Sequence, residues 1–236
     1  MECIFASELN ENSTEIDINN DRIRHLKALR ILPGDVILFS NGRGLCAECK
    51  LLSFNKLNYH FKIIEFYFNQ GETPYRIGIA IGILSDKDRM EFALEKAVEL
   101  GATDFYPLIT KFTETKKINL SRLAKKSIVA LEQCKRSKLI EIHEPLNILK
   151  LGIILRGFDN IILSDENGEN PGLTSSLSST LCLIGPEGGF APSEIEFIKT
   201  FKNVKIWNLG NRRLRTETAA VSVLSHISSK VINQPT

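Results

Sequence analysis

Two glycine-bearing loops, each between an apolar run and a segment of helical pattern, constrain the fold of this chain more than any other feature. The run at residues 181–184 breaks into Gly185-Pro186-Glu187-Gly188-Gly189-Phe190, and the run at residues 204–207 breaks into a second loop over residues 208–215. The sequence of a strand, a loop and a helix occurs twice, which predicts a βα-βα arrangement. In this arrangement both loops follow the carboxyl ends of strands. Ligands of open α/β sheets bind at that edge, so we predict that residues 181–220 form the active site.

The pattern of the chain changes near residue 70. Alternating runs at residues 36–40, 45–54 and 57–68, with one helix that ends near Leu29 and is capped by Asn20 or Asp21, predict a small β-rich domain over residues 1–70. Apolar runs then alternate with amphipathic segments. We predict strands at residues 76–84, 105–109 and 160–164 and helices at residues 88–100, 120–134, 192–201 and 216–230, all within an α/β domain over residues 71–236.

Composition excludes several classes of protein. A chain with 43% hydrophobic and 25% charged residues is typical of soluble globular proteins. No apolar run approaches the roughly 18 residues of a membrane span, and no basic segment precedes an apolar one at the start, so we predict a cytoplasmic protein without a membrane partner. Cys46 and Cys49 form a lone CxxC pair whose side chains would lie on opposite faces of a strand, so no metal site is predicted.

Basic residues are concentrated in one region although the net charge is only +2. The residues are Lys111, Lys116, Lys117, Arg122, Lys125, Lys126, Lys135, Arg136 and Lys138. Such a patch can follow a phosphate backbone, or it can be the solvated face of a helix, and charge alone does not decide between the two.

The first loop lacks the motifs that bind phosphates. It has neither the Lys-Ser/Thr of a P-loop nor the GxGxxG spacing of a dinucleotide site, and Glu187 would repel a phosphate. A ligand with hydroxyls or amines, such as an adenosine or an amino-acid group, would suit it. The alternative is a tight turn that uses glycine for its geometry alone.

The second loop concentrates positive charge before a helix. Arg212, Arg213 and Arg215 fall within four residues, and the predicted helix begins near Thr216, which Thr216 or Thr218 can cap. A helix N-terminus adds backbone N–H donors. The segment therefore suits an RNA phosphate or negative charge that develops on a base, and the alternative is surface arginines beside an ordinary cap.

Both loops together resemble the signature segments of the bacterial 16S rRNA (uracil-N3)-methyltransferase family, in the SPOUT superfamily. The resemblance continues in the segments His25-Leu26, Pro33-Gly34-Asp35, Lys87-Asp88-Arg89-Met90-Glu91, Lys96-Ala97, Glu99-Leu100-Gly101 and Glu132-Gln133. The chain departs from the usual family residues at Asn211, Arg213 and Cys134-Lys135.

The resemblance implies a fold that periodicity would not propose, because knots are very rare. It implies a C-terminal parallel sheet flanked by helices with a deep trefoil knot, an N-terminal PUA-like β-barrel that binds RNA, and a homodimer. It also implies S-adenosylmethionine as the methyl donor, no metal, and N3 of a uridine near the 3′ end of 16S rRNA in the assembled 30S subunit as the target.

The resemblance and the loop chemistry together give three sets of site residues. The catalytic residues would be Arg215 and Arg212, which stabilise charge on the uracil, and Glu217, which is either a base or only an acid in the first turn of the helix. The donor would contact Leu183, Ile184, Gly185, Pro186, Glu187, Gly188, Gly189, Leu209, Gly210, Leu214, Thr216 and Thr218. RNA would contact Arg22, Arg24, Lys27, Arg30, Arg89, Arg136 and Arg213.

Three other functions remain open from the sequence. The chain could be a non-catalytic rRNA-binding assembly factor, or an enzyme that uses an NTP or a dinucleotide on an ordinary doubly wound sheet. It could also be a SPOUT methyltransferase that acts on a different base, because Asn211 and Arg213 depart from the family in the second loop.

Overall fold

A computed structural model describes residues 1–19, 22–170 and 179–232 of the chain, with side chains up to residue 229. The predicted caps Asn20 and Asp21 and most of the serine-rich segment before residue 179 lie outside these ranges. The chain groups into two compact units. The first contains residues 1–72 and 128–139, and the second contains residues 73–127 and 140–236. Residues 128–139, which our boundary assigned to the second domain, therefore pack with the first unit.

The first unit is built on a five-stranded sheet. Its elements are β1 (Cys3–Phe5), β2 (Glu15–Ile18), α1 (Arg22–Leu29), β3 (Val36–Ser40), β4 (Leu45–Phe54) and β5 (Tyr59–Phe68). The strand order is β1-β3-β4-β5-β2; β1 and β3 are parallel and the other pairs are antiparallel. The predicted helix stripe is confirmed, since Leu26 is fully buried and Ile23 and Leu29 pack partly buried against the same core.

The hairpin between β3 and β4 is confirmed, and its geometry follows from Asn41-Gly42-Arg43-Gly44. The Asn41 side-chain oxygen accepts the backbone N–H of Arg43 at 2.8 Å and of Leu45 at 3.2 Å, while Gly42 and Gly44 have φ of +71° and +105°. Cys46 and Cys49 on β4 belong to two different apolar clusters, as the alternation predicted. Burial raises the pKa of the Cys49 thiol to about 12, which leaves it uncharged at neutral pH.

The second unit is an α/β unit with a parallel sheet, as predicted. Its strands are β6 (Arg76–Gly82), β7 (Asp104–Ile109), β8 (Glu141–Ile142), β9 (Leu146–Asn147), β10 (Asn160–Glu169), β11 (Ser179–Ile184) and β12 (Val204–Trp207). Its helices are α2 (Lys87–Glu99), α3 (Leu120–Cys134), α4 (Gly152–Leu155), α5 (Pro192–Lys199) and α6 (Thr216–Ile232), and the second half of α3 belongs to the first unit. The strand order is β12-β10-β11-β6-β7-β8, with β9 also paired to β7, and every pairing is parallel.

An ion pair between the exposed Arg76 and the buried Asp104 joins β6 to β7. The Arg76 guanidinium donates to both carboxylate oxygens of Asp104, at 3.0 and 2.6 Å, and the Tyr106 hydroxyl donates to the same carboxylate at 2.9 Å. Glu141 and His143 lie near enough to Asp104 for the three to resemble a metal site. Arg76 already neutralises Asp104, however, so a cation would have to displace a bidentate guanidinium.

The first loop packs directly on the carboxyl end of β6. A Cβ atom added to Gly82 would lie 2.3 Å from the backbone nitrogen of Pro186, so only glycine permits this approach. The loop after β11 therefore lies at the carboxyl edge of the sheet, beside the end of β6. None of the helices in the described ranges has the length and apolar character needed to cross a bilayer.

Candidate active site

The two signature loops line one cavity of about 810 Å³ in the second unit. Its lining also includes Asp86 and Arg89 at the start of α2, residues 164–166 of β10, and Ala219 of α6. This volume lies within the range of roughly 300–1,000 Å³ that small-molecule sites occupy. The prediction that the two loops face a common space agrees with this geometry.

The first loop is a tight turn and also a wall of the cavity. The Gly189 N–H donates to the Pro186 carbonyl at 2.8 Å, and Gly189 has a φ of +73°. A Cβ atom on Gly185 would lie 2.8 Å from the Gly189 backbone. Gly185 and Gly189 are therefore required by the turn itself, and the turn places residues 184–189 on the cavity surface.

The Glu187 side chain is held in place by donors from other segments. Its Oε1 atom accepts hydrogen bonds from the Ser85 hydroxyl and from Arg89 Nη1, both at 3.2 Å. The carbonyl of the same residue accepts a hydrogen bond from Arg213 Nη2 at 3.3 Å. The acid that the sequence placed in this loop is thus directed toward α2 by side-chain contacts, while the backbone of the loop is joined to the second loop.

The second loop is tied to the end of β10. The Asn208 N–H donates to the Glu169 carbonyl at 2.8 Å, and its side-chain nitrogen donates to the Glu166 carbonyl at 2.9 Å. Asn208 also accepts the Gly210 N–H at 2.9 Å. Arg212, Arg213 and Arg215 then follow as exposed residues that line the cavity. Three cations therefore face the same space as the glycine loop.

The helix α6 begins where the sequence indicated, at Thr216. The Arg215 carbonyl accepts the Ala219 N–H at 2.8 Å, so Arg215 is the last residue before the first helical turn. Glu217 in that turn is 8% exposed and does not line the cavity. Its Oε2 atom accepts a hydrogen bond from Arg89 Nη2 at 2.7 Å.

The structure brings most of the predicted donor-binding residues together. The residues of that set that line the cavity are Ile184, Gly185, Pro186, Glu187, Gly188, Gly189, Leu209, Gly210, Leu214 and Thr216. Two residues lie elsewhere. Leu183 is fully buried within β11, and Thr218 is an exposed residue of α6 outside the lining.

The predicted RNA-binding residues separate into several environments. Arg24, Lys27 and Arg30 are exposed on or next to α1, and Arg213 lines the cavity. Arg22 forms an ion pair with Glu132 within the first unit.

Arg136 requires a correction. It is only 3% exposed and pairs with Glu72 at 2.7 Å. A guanidinium this deeply buried and engaged by a carboxylate is not presented to a phosphate backbone, so we withdraw Arg136 from the RNA-binding set.

Several lining residues were missed by sequence reasoning. Asp86, Ser164, Asp165 and Glu166 lie outside the predicted segment 181–220, whereas Phe190, Trp207, Asn208 and Ala219 lie within that segment but were not named as site residues. A usable signal was present for Asp165 and Glu166, because they directly follow the apolar run at residues 160–164. Polar residues at the carboxyl end of a third parallel strand belong to the same edge as the two loops.

Comparison with known proteins assigns the chain to a family. A family model for an RNA methyltransferase domain matches residues 71–228. The chain is 31% identical over 233 residues to the ribosomal RNA small subunit methyltransferase E of Rickettsia conorii, covering 94% of this chain and 92% of that one. It is 30% identical over 235 residues to the Bacillus subtilis protein of the same name, covering 92% and 91%.

A solved structure supports the same assignment. The ribosomal RNA small subunit methyltransferase E from Neisseria gonorrhoeae, bound to S-adenosyl methionine, matches with a TM-score of 0.84 and 26% identity over 97% of each chain. The chain is an RNA methyltransferase by class, because the family model for that domain matches the second unit. The fold agrees, since the carboxyl edge of the parallel sheet carries two glycine loops around one cavity. Within that class the chain belongs to the ribosomal RNA small subunit methyltransferase E family, so the resemblance read from the sequence is confirmed.

Proposed function

We propose that this chain transfers a methyl group from S-adenosylmethionine to N3 of a uridine near the 3′ end of 16S rRNA in the assembled 30S subunit. The observation that carries the proposal is the cavity between the two signature loops, which the exposed residues Arg212 and Arg215 line. Membership of the family, and the bound donor in the Neisseria relative, support the reaction and its methyl source.

The residues of the cavity fit the donor. The cavity is large enough for a nucleoside with an amino-acid tail, and its glycine loop offers backbone groups but lacks the Lys-Ser/Thr of a P-loop. Backbone groups of Ile184, Gly185, Gly188, Leu209 and Leu214 would hold the adenine and ribose. When bound, the donor supplies a methyl carbon on a positively charged sulfur, which is electrophilic without a metal.

The arginines would serve the acceptor. Uracil N3 carries a proton and becomes a good nucleophile only as that proton leaves and negative charge spreads to the uracil oxygens. Arg215, with Arg212, would stabilise that charge, because both line the cavity where the base must enter. The new bond joins N3 to the methyl carbon, the bond from that carbon to sulfur breaks, and the N3 proton leaves. Since N3 lies on the pairing edge, the target uridine must be unpaired or turned out.

The proposal extends to features of the whole protein. These are a trefoil knot in the C-terminal domain, a closed PUA-like barrel over residues 1–70, a homodimer, a cytoplasmic location, and activity without a metal. The position of β10 between β11 and β12 supports the knot, because the chain must return past β10 to form β12. The five-stranded sheet of the first unit, with the exposed cations Arg24, Lys27 and Arg30, supports the RNA-binding domain.

Mass mapping of 16S rRNA from cells with and without the gene tests the assignment. We expect N3-methyluridine near the 3′ end to be absent in the deletion and restored by the purified protein acting on assembled small subunits. Persistence of that nucleoside in the deletion would show that the target is wrong. Binding of the subunit without methyl transfer would instead favour the non-catalytic assembly factor.

A further inference from the structure

Arg89 lies in the first turn of α2, where the helix cap fixes its backbone. Asp86 Oδ1 accepts the backbone N–H of Asp88 at 2.8 Å and that of Arg89 at 3.3 Å. The Arg89 side chain is 23% exposed and lines the cavity. The backbone position from which the Arg89 side chain extends is therefore set by α2 and not by either signature loop.

The guanidinium of Arg89 holds two carboxylates that come from the two signature segments. Its Nη1 atom lies 3.2 Å from Glu187 Oε1 in the first loop, and its Nη2 atom lies 2.7 Å from Glu217 Oε2 in the first turn of α6. A planar guanidinium can direct separate N–H groups at two acids, which a lysine ammonium does less well. One side chain of α2 thus connects both segments of the site.

The surroundings of Glu217 are those of a fixed ion-pair partner. Burial alone would raise the pKa of this carboxyl, but the hydrogen bond from Arg89, a backbone hydrogen bond and the charges of Arg89 and Arg215 together outweigh burial and lower the pKa below its ordinary value. A carboxylate with a lowered pKa is ionised at neutral pH yet is a poor acceptor for the weakly acidic N3 proton. Glu217 also lies outside the cavity lining.

We propose that Arg89 is a positioning residue of the methyl-transfer site, and that Glu217 is its ionic partner rather than the group that accepts the uracil N3 proton. This inference rests on the proposed function and replaces two of our expectations, which made Arg89 an RNA contact and Glu217 a possible base. Through Glu187, Arg89 holds the first loop. Through Glu217, it fixes the start of α6 and with it Arg215, two residues earlier.

The substitution Arg89→Ala tests the positioning role. It removes both ion pairs and leaves two carboxylates unpaired, so the affinity for S-adenosylmethionine, measured calorimetrically without RNA, should fall about tenfold or more. The kcat should fall by a similar factor, while the KM for assembled small subunits stays within about threefold. A higher KM for the subunit with unchanged donor affinity would overturn the proposal and restore Arg89 as an RNA contact.

Lys96→Ala is the matched control. Lys96 lies on the same helix and also pairs with two glutamates, Glu95 at 2.9 Å and Glu99 at 2.7 Å, but none of the three lines the cavity. Its donor affinity and kcat should equal those of the wild type. If Arg89→Ala fails to fold, Arg89→Lys keeps the charge without the planar fork and should still weaken donor binding; wild-type affinity in that variant would contradict the proposal.

The substitution Glu217→Gln tests whether Glu217 is only the ion-pair partner of Arg89 or the base that accepts the uracil N3 proton. A glutamine oxygen can still accept the Arg89 hydrogen bond, so kcat should stay within about tenfold of the wild type, and its dependence on pH should be unchanged. A loss of about a hundredfold or more, with the rising limb of the pH profile abolished and donor affinity intact, would show that Glu217 is the base.

A double variant completes the test. If Arg89 acts partly through Glu217, then Arg89→Ala combined with Glu217→Gln should bind the donor no more weakly than Arg89→Ala alone, whereas additive losses would contradict the coupling. Donor affinity is measured without RNA. The result therefore stands apart from whether N3-methyluridine in 16S rRNA is the product.

Discussion

Individual glycines and arginines have different functions around the cavity. Gly82 and Gly185 are needed because another backbone segment lies where their side chains would be, whereas Arg212 and Arg215 are exposed at the cavity surface. Charge clustering in the sequence identified the arginines. It could not identify Gly82, because the contact with Pro186 joins residues far apart in the chain and leaves no local pattern.

The substitution Gly82→Ala should damage the donor site without touching a signature residue. The new Cβ would lie 2.3 Å from the Pro186 nitrogen, so the first loop must move away from β6. We expect the affinity for S-adenosylmethionine to fall at least about tenfold, equivalent to about 1.4 kcal/mol, in a calorimetric titration. Gly152→Ala is the control, since its Cβ would meet only the ends of two side chains, Phe201 at 3.3 Å and Phe197 at 3.7 Å. Wild-type affinity in Gly82→Ala would show that the loop can move at no cost.

The substitution Arg215→Ala should separate chemistry from donor binding. Arg215 lines the cavity through an exposed side chain, so its removal should leave donor affinity within about threefold and lower kcat about a hundredfold or more. Single-turnover methyl transfer to assembled small subunits measures the loss. Arg156→Ala removes an exposed arginine outside the lining and should have no effect. Unchanged turnover in Arg215→Ala would remove this residue from the catalytic set.

Among the secondary-structure elements, those with a clear apolar run ending in turn residues were predictable, and several of the shortest were not. The bounds predicted for β3, β4, α3 and β12 agree with the structure, since hydrophobic period and turn residues determine them locally. The short elements β1, β2, β8, β9 and α4 were missed, because they carry little periodicity and form through their neighbours, whereas the equally short β12 is an apolar run that ends in a glycine-bearing loop. The continuation of β10 to Glu169 was also missed, and that extension is what anchors the second loop through Asn208.

The contact between β6 and β7 should make stability depend on pH in the acid range. Burial alone would raise the pKa of Asp104, but the hydrogen bonds from Arg76, Thr103 and Tyr106, together with the Arg76 charge, outweigh burial and lower the pKa from 3.8 to about 2. Because its pKa is lower in the folded state, the ionised Asp104 contributes to the free energy of unfolding above about pH 4. That contribution is lost as the pH falls toward 2.

The variant Asp104→Asn measures that contribution. It should lower the free energy of unfolding by about 2 kcal/mol at pH 7, and its difference from the wild type should shrink between pH 4 and pH 2, as followed by urea denaturation. Glu141→Gln, which alters an exposed carboxylate of the same cluster, should change stability by less than about 0.5 kcal/mol. A difference that stays constant across this pH range would exclude the ionised Asp104 as its source.

For the molecule as a whole, catalysis and RNA binding are expected in different units. The cavity lies in the second unit, while Arg24, Lys27 and Arg30 present exposed charge in the first. The sequence indicated both sets through family resemblance and loop chemistry. It did not indicate that Arg136 is buried, because burial of a charge depends on a partner that only the folded chain supplies.

Replacing Arg24, Lys27 and Arg30 together by alanine should weaken binding to the small subunit and leave the donor site intact. The slope of the logarithm of the binding constant against the logarithm of the salt concentration should become less negative by roughly 2 to 3. Donor affinity should be unchanged. Replacing Lys150, Arg156 and Lys199, three exposed cations of the second unit outside the cavity, controls for net charge. An unaltered salt slope in the first triple variant would show that α1 does not contact RNA.

The first unit is assembled from two separate stretches of sequence, residues 1–72 and 128–139. The second stretch supplies Glu132, which accepts the Phe5 N–H at 2.9 Å, and Arg136, the partner of Glu72. Expressing residues 1–72 alone would therefore leave the Glu72 carboxylate unpaired and the unit incomplete. For the same reason, exchanging residues 1–72 alone for those of another enzyme would not transplant this unit, because residues 128–139 must be exchanged with them.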